Sequence, residues 1–225
     1  ENNKRSVVYS LHQDDEFGLN VHRGVVEQAE AMGLDLAEVT TYKRGATDFS
    51  SQVARLKAAG CEVVALGTII RETIGAMAEA RKMGWNPDFV VSAAGYAPEV
   101  AMLGKGITEG LYGLGQTLIP DYDTGTPEVR EWMDKYQTRF DVPASIQAVF
   151  GYVVIQLTAE GLKNAGRDLD SDSFVGGLEQ ITNWKSIFES ASITFSGDQH
   201  LGASEFYLSQ IQGGKWVKLS GPMTF

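Results

Sequence analysis

Apolar and polar positions alternate between two periods along the first half of the chain. Ser6–Leu11 is short and β-rich. Gly18–Gly33 follows with helical spacing, Val21, Val25, Ala29 and Met32 forming one stripe before Gly33 closes it. The pair then recurs. Asp35–Tyr42 reads as a strand, and Thr47–Ala59 as a helix with Phe49, Val53 and Leu56 on one face. Glu62–Leu66 is a continuous apolar run, the pattern of a strand covered on both faces. Ile70–Met83 is helical up to Gly84, Phe89–Ala93 is a strand, Pro98–Gly104 a short helix or turn, and Leu111–Thr117 a fifth strand. Strands that begin about every 25–30 residues have the spacing of βαβ units. The expected fold class is α/β: a doubly wound parallel sheet with helices on both faces.

Beyond Ile119-Pro120 the style changes. Three helices are expected, at Glu128–Phe140, Ala144–Asn164 and Ser171–Ile181, with Pro127 in the first turn of the first. Ser192–Phe195 and Glu205–Ile211 alternate like strands, and Gly213-Gly214 turns tightly into Lys215–Leu219. These helices have no parallel sheet of their own and need another surface to pack on.

Composition narrows the possible partners. The 225 residues carry a net charge of −10, which disfavours nucleic acid and anionic membrane surfaces. No apolar run is long enough to span a membrane. The chain opens Glu1-Asn2-Asn3-Lys4-Arg5, without an initiator Met or signal peptide, as a processed chain or fragment would. The single cysteine, Cys61, sits in an apolar run and reads as a buried packing residue.

Motifs for catalysis are missing. There is no Gly-rich dinucleotide or phosphate loop and no nucleophile elbow. Asp14-Asp15-Glu16 reads as a solvated loop face, since no lysine follows at the later strand ends where a phosphoacceptor site would need one. His22 and His200 have no partners at metal-ligand spacing. No enzyme, cofactor or metal site is expected.

Five segments, in order, are similar to one known family. His12-Gln13-Asp14-Asp15-Glu16-Phe17-Gly18 resembles its strand-end segment of polar residues followed by Tyr-Gly. Asp48–Lys57 is similar to its Asp-Phe-Ser-x-x-Val-Ala-x-Leu-Lys helix. Ala78–Gly84, Glu109-Gly110-Leu111 and Gly151-Tyr152-Val153 match a third helix, a fifth-strand entry and a later helix. By these residues the chain resembles the type I periplasmic solute-binding proteins of branched-chain amino acid ABC importers.

The resemblance implies a two-lobed receptor that binds a small molecule between its lobes and delivers it to ABC permease subunits, in the periplasm or another extracytoplasmic space. Residues 1–118 correspond to the second lobe, 119–196 to a helical return to the first, and 197–225 to terminal strands that cross back. The family's opening lobe has no counterpart here. Pro120, Gly197 and Gly202 are the candidate hinge positions. The same fold also serves ligand-sensing domains of receptors and regulators, which is the alternative reading.

Ligands of such sheets bind outside the carboxyl ends of the strands. The candidate ligand-binding residues are therefore His12, Phe17, Thr68, Ile69, Arg71, Ala93, Gly95 and Tyr96. Phe17 stands where the amino-acid binders of the family have a Tyr, and Ile69 where they often have a second aromatic. Ala93 stands where they carry the acid that pairs with the ligand ammonium. Alanine cannot do that, so the leading candidate ligand is an apolar carboxylate without an α-amino group, aromatic or branched aliphatic, with an amino acid as the alternative.

Overall fold

The computed structural model describes residues 8–34 and 36–224. Ser6, Val7 and Asp35, which open two of the expected strands, lie outside the described residues. The chain divides into two compact units. One runs to Gly115 and includes Leu208–Leu219; the other comprises Gln116–Tyr207 and Ser220–Phe225.

In the first unit, strand and helix alternate as the periodicity requires: β1 (Val8–Gln13), α1 (Glu16–Ala31), β2 (Leu36–Tyr42), α2 (Ser50–Ala58), β3 (Val63–Gly67), α3 (Ile70–Lys82), β4 (Asp88–Val91), α4 (Pro98–Gly104) and β5 (Tyr112–Gly115). The strands lie in the order β2-β1-β3-β4-β5, and β1 to β5 pair in parallel. β6 (Glu205–Gln212) and β7 (Lys215–Thr224) extend the sheet to seven strands. Gly213 and Gly214, at φ +59° and +77°, make the turn between them. The carboxylate of Glu109 accepts from both of their amides, at 2.7 and 3.2 Å.

The main core lies on one face of this sheet. Tyr9, Leu11, Leu66, Phe89 and Val91 meet Val53 and Leu56 of α2, Met77 and Ala80 of α3, and Val100 of α4. The Tyr9 hydroxyl donates to the Ala59 carbonyl at 2.6 Å. Cys61 is a buried free thiol in this core, and burial pushes its pKa up to about 12. It is held protonated at neutral pH, as its expected packing role requires.

The second unit holds α5 (Pro127–Phe140), α6 (Ile146–Ala165) and α7 (Ser171–Leu178). Its core joins Val129, Ile146, Val149 and Val153 to Phe188, with Trp132 edge-on to both Tyr152 and Phe188. Ser192–Phe195, expected as a strand, forms none: Ile193 bridges to Trp184, and the Thr194 and Phe195 amides donate to the Gly202 and Ile181 carbonyls. β5 stops at Gly115, two residues before the expected end. Beyond it the Gln116 carbonyl accepts from Ala191, and Thr117 bridges to Ser190.

α6 and α7 touch through small residues. A Cβ on Gly177 would stand 2.3 Å from the Gly161 carbonyl oxygen, and one on Gly161 would stand 2.6 Å from Leu178. Gly177→Ala must therefore push the helices apart. We predict a loss of about 1–3 kcal/mol, read as a lower denaturation midpoint. An unchanged midpoint would mean that the contact is loose.

Candidate site at the carboxyl edge of the parallel sheet

β1, β3 and β4 end together. His12 is the register partner of Gly67, Leu66 is that of Val91, and the Ser92 amide reaches the Leu66 carbonyl at 3.3 Å. All eight candidate residues lie at these strand ends, in the loops leaving them or in the first turns of α1 and α3.

The β1 end turns at once into a helix. Asp15, expected in a solvated loop, is the N-cap of α1, and its carboxylate accepts from the Gly18 amide at 3.0 Å. That bond, aided by the Gln13 side-chain amide, holds its carboxyl below the usual range. The helix starts at Glu16, two residues earlier than the apolar stripe indicates. The missed signal was the Asp-Glu pair itself, a cap followed by an acid in the first turn. Phe17 sits in that turn, half-buried. A Cβ on Gly18 would fall 1.9 Å from the Gln13 carbonyl oxygen, so α1 is pressed onto the strand end.

The candidates divide by exposure. His12 is 2% exposed; Ser10 Oγ lies 2.9 Å from its Nδ1, and its ring stacks on His22. Thr68 is fully buried, with its hydroxyl 2.6 Å from that of Thr73. Gly95 is buried, and a Cβ there would lie 2.3 Å from a Val91 methyl. Tyr96 is buried with its hydroxyl 3.1 Å from Ser209 Oγ and its ring edge-on to Trp216. Phe17 and Ile69 are half-buried, while Arg71 and Ala93 are exposed. Four candidates thus present some surface, and four are buried.

Other polar groups, not anticipated from the sequence, lie beneath the edge. Tyr42 points its hydroxyl at the Gly67 carbonyl, 3.4 Å away. Burial, and then the carboxylate of Glu72, raises its pKa. Glu72 is 1% exposed on the first turn of α3, next to the exposed Arg71. Among the described residues, no group of three or more His, Cys, Asp or Glu side chains is placed to hold a metal ion, and no helix is long and apolar enough to cross a membrane. The hinge candidates Pro120, Gly197 and Gly202 all lie inside the second unit, whereas the chain passes between units at Gly115–Gln116, Tyr207–Leu208 and Leu219–Ser220.

Residues 1–215 match the family model described as periplasmic binding protein. The chain belongs to this family. Like the binding proteins it resembles, this periplasmic binding protein has a mostly parallel α/β fold of type I. It is 22% identical over 175 residues to Leu/Ile/Val-binding protein homolog 8 of Brucella abortus, a match that takes in 76% of this chain and 43% of that protein. It is 24% identical over 156 residues to homolog 7 of Brucella suis, covering 68% of this chain and 39% of the relative. It superimposes with a TM-score of 0.87, at 17% identity, on a branched-chain amino acid ABC transporter protein from Thermus thermophilus with bound valine. That match covers 99% of this chain and 62% of the other. A leucine-binding protein from Thermotoga maritima matches with a TM-score of 0.78 at 14% identity, covering 96% of this chain and 60% of that one. The chain thus spans less than half the length of these curated relatives.

The cap at Asp15 has a pH signature. Its carboxyl is lowered in the folded state, so its contribution is full above the ordinary value of 3.8 and fades as pH falls through the folded value. Asp15→Ala should lower the thermal midpoint of this binding protein at pH 7, and the gap to the unaltered protein should narrow below pH 3.8. A gap independent of pH would show that the carboxylate is not the cap that matters.

Proposed function

We propose that the protein containing this chain is the extracytoplasmic receptor of an ABC importer, and that this sheet edge contributes part of its binding site for a small apolar carboxylate, aromatic or branched aliphatic. Membership of the family supports the receptor role, and the absence of catalytic motifs favours binding over catalysis. The Thermus thermophilus neighbour with bound valine supports a ligand of amino-acid size. ABC permease subunits are the partners that such a role requires.

The observation that carries the ligand class is Ala93. It is exposed just past the end of β4 and offers a methyl group. A ligand ammonium brought against it finds no counter-charge there, and an unpaired charge taken from water costs several kcal/mol. Phe17 and Ile69 offer apolar surface to a ring or branched chain. Arg71, exposed on the first turn of α3, supplies a guanidinium for the carboxylate. His12, Thr68, Gly95 and Tyr96 then act as the packed support behind these four.

Thermal unfolding of the intact protein against a panel of branched-chain amino acids and their amine-free analogues tests this. A ligand at a hundred times its Kd adds about 2.7 kcal/mol, a shift of roughly 5–11 °C for a domain of about 150–250 residues and less for a longer chain. Carboxylates should shift the midpoint, amino acids should not, and Ala93→Glu should narrow the preference. An equal shift with leucine or valine would mean that the ammonium is held elsewhere and would end the amine-free reading.

A further inference from the structure

Two of the three histidines of the chain meet at the carboxyl edge. The rings of His12 and His22 lie 4.7 Å apart and 13° from parallel. They come together because α1 turns back along the strand that precedes it. The packing around them is tight. A Cβ on Gly67 of β3 would stand 2.7 Å from the His12 Cβ and 3.3 Å from that of Val21 on α1. The three elements converge where no side chain larger than hydrogen fits on β3.

The surroundings offer a charged His12 little. β2 presents Thr41 in register and β3 presents Gly67, neither of them titratable. Ser10 Oγ is in hydrogen-bonding range of the His12 Nδ1, and the His22 Nδ1 is buried without a hydrogen-bonding partner. The charged or titratable groups acting on His12 are His22 on α1 and Asp14 at the end of its own strand. Burial first, and then His22, holds the imidazole below its ordinary 6.5, with Asp14 opposing.

A buried ring that gains charge must gain water. β1 is fixed between β2 and β3, so it cannot yield. α1 can. Its fully buried residues are only Gly18 and Ala29. Beneath it runs an apolar groove of about 370 Å³, bounded by Val21, Val25 and Met32 on the helix and Val63 and Val90 on the sheet. Beyond its capped first turn the helix is held mostly by half-buried side chains, and the stacked rings lie near the capped end.

We propose that His12, stacked on His22, is a proton-sensitive latch, which when neutral seals the first turns of α1 to the ends of β1 and β3 and when charged releases them. The sign follows from linkage. With His12 lowered in the closed state, the open state binds more protons once pH falls below 6.5. Closure is therefore complete above 6.5, weakens as pH drops through that value, and stops changing below the folded value. For one proton the closing constant falls by at most tenfold per pH unit. Phe17 moves with α1; its consequence for ligand rests on the site reading above, but the latch does not.

Amide hydrogen exchange on the intact protein between pH 7.5 and 5, corrected for intrinsic exchange, tests this without ligand. Amides in the first turns of α1 should lose protection by up to tenfold per pH unit below 6.5, while those of β3 and β4 keep theirs. His12→Gln should flatten that dependence. If the variant does not fold, a histidine NMR titration of the unaltered protein decides: a midpoint for His12 below 6.5 is expected. A midpoint at or above 6.5, α1 protection indifferent to pH, or the same slope in His12→Gln would each overturn the latch.

Discussion

The geometry of the carboxyl edge depends on the close approach of α1 to the ends of β1 and β3. Gly18 and Gly67 make it possible, one against the Gln13 backbone and the other against the His12 side chain. A methyl group at Gly18 would force the helix outward, and one at Gly67 would collide with His12 and crowd Val21. That approach sets where Phe17 stands and how Asp15 reaches back to the Gly18 amide. It also brings His22 over His12. Local sequence chose the helix, but two missing side chains chose its distance from the sheet.

The fold was largely legible because each strand of the first unit is short and apolar and each helix shows one stripe. A period of two giving way to 3.6 is a backbone property, visible without neighbours. Boundaries were less legible. α1 begins before its apolar stripe because a cap, not burial, starts a helix. Ser192–Phe195 alternates like a strand yet finds no strand to pair with, since alternation encodes which side is buried and not who the partner is. At the site, the positions of Phe17, Ile69 and Ala93 at strand ends followed from the topology. The burial of Tyr96 against Trp216, and the His12–His22 stack, depend on residues 120 and 10 positions apart in sequence, and no local pattern marks them.

The second unit illustrates a different constraint. α6 buries Val149 and Val153 on one side and exposes Phe150, Val154 and Ile155 on another. A helix that is apolar around most of its circumference has a composition suited to cover on more than one side. Its other contacts are economical: Gly161 and Gly177 let α7 lie against it at backbone distance, and Asn164 ties the pair by donating to the Gly177 carbonyl at 3.0 Å.

The carboxylate of Glu109 holds the two glycine amides of the β6–β7 turn across more than a hundred positions of sequence. Beside it, the Gly110 and Ile211 amides exchange bonds with the neighbouring strand at 2.9 Å each. The tail of the chain is thereby made the shield of its middle: β6 occupies the flank of β5 that would otherwise accept a foreign strand. What then faces outward is β7, with Lys215 and Lys218 exposed along it. Val217 and Leu219 are exposed on the same strand, so this edge of the sheet carries charge and apolar surface side by side.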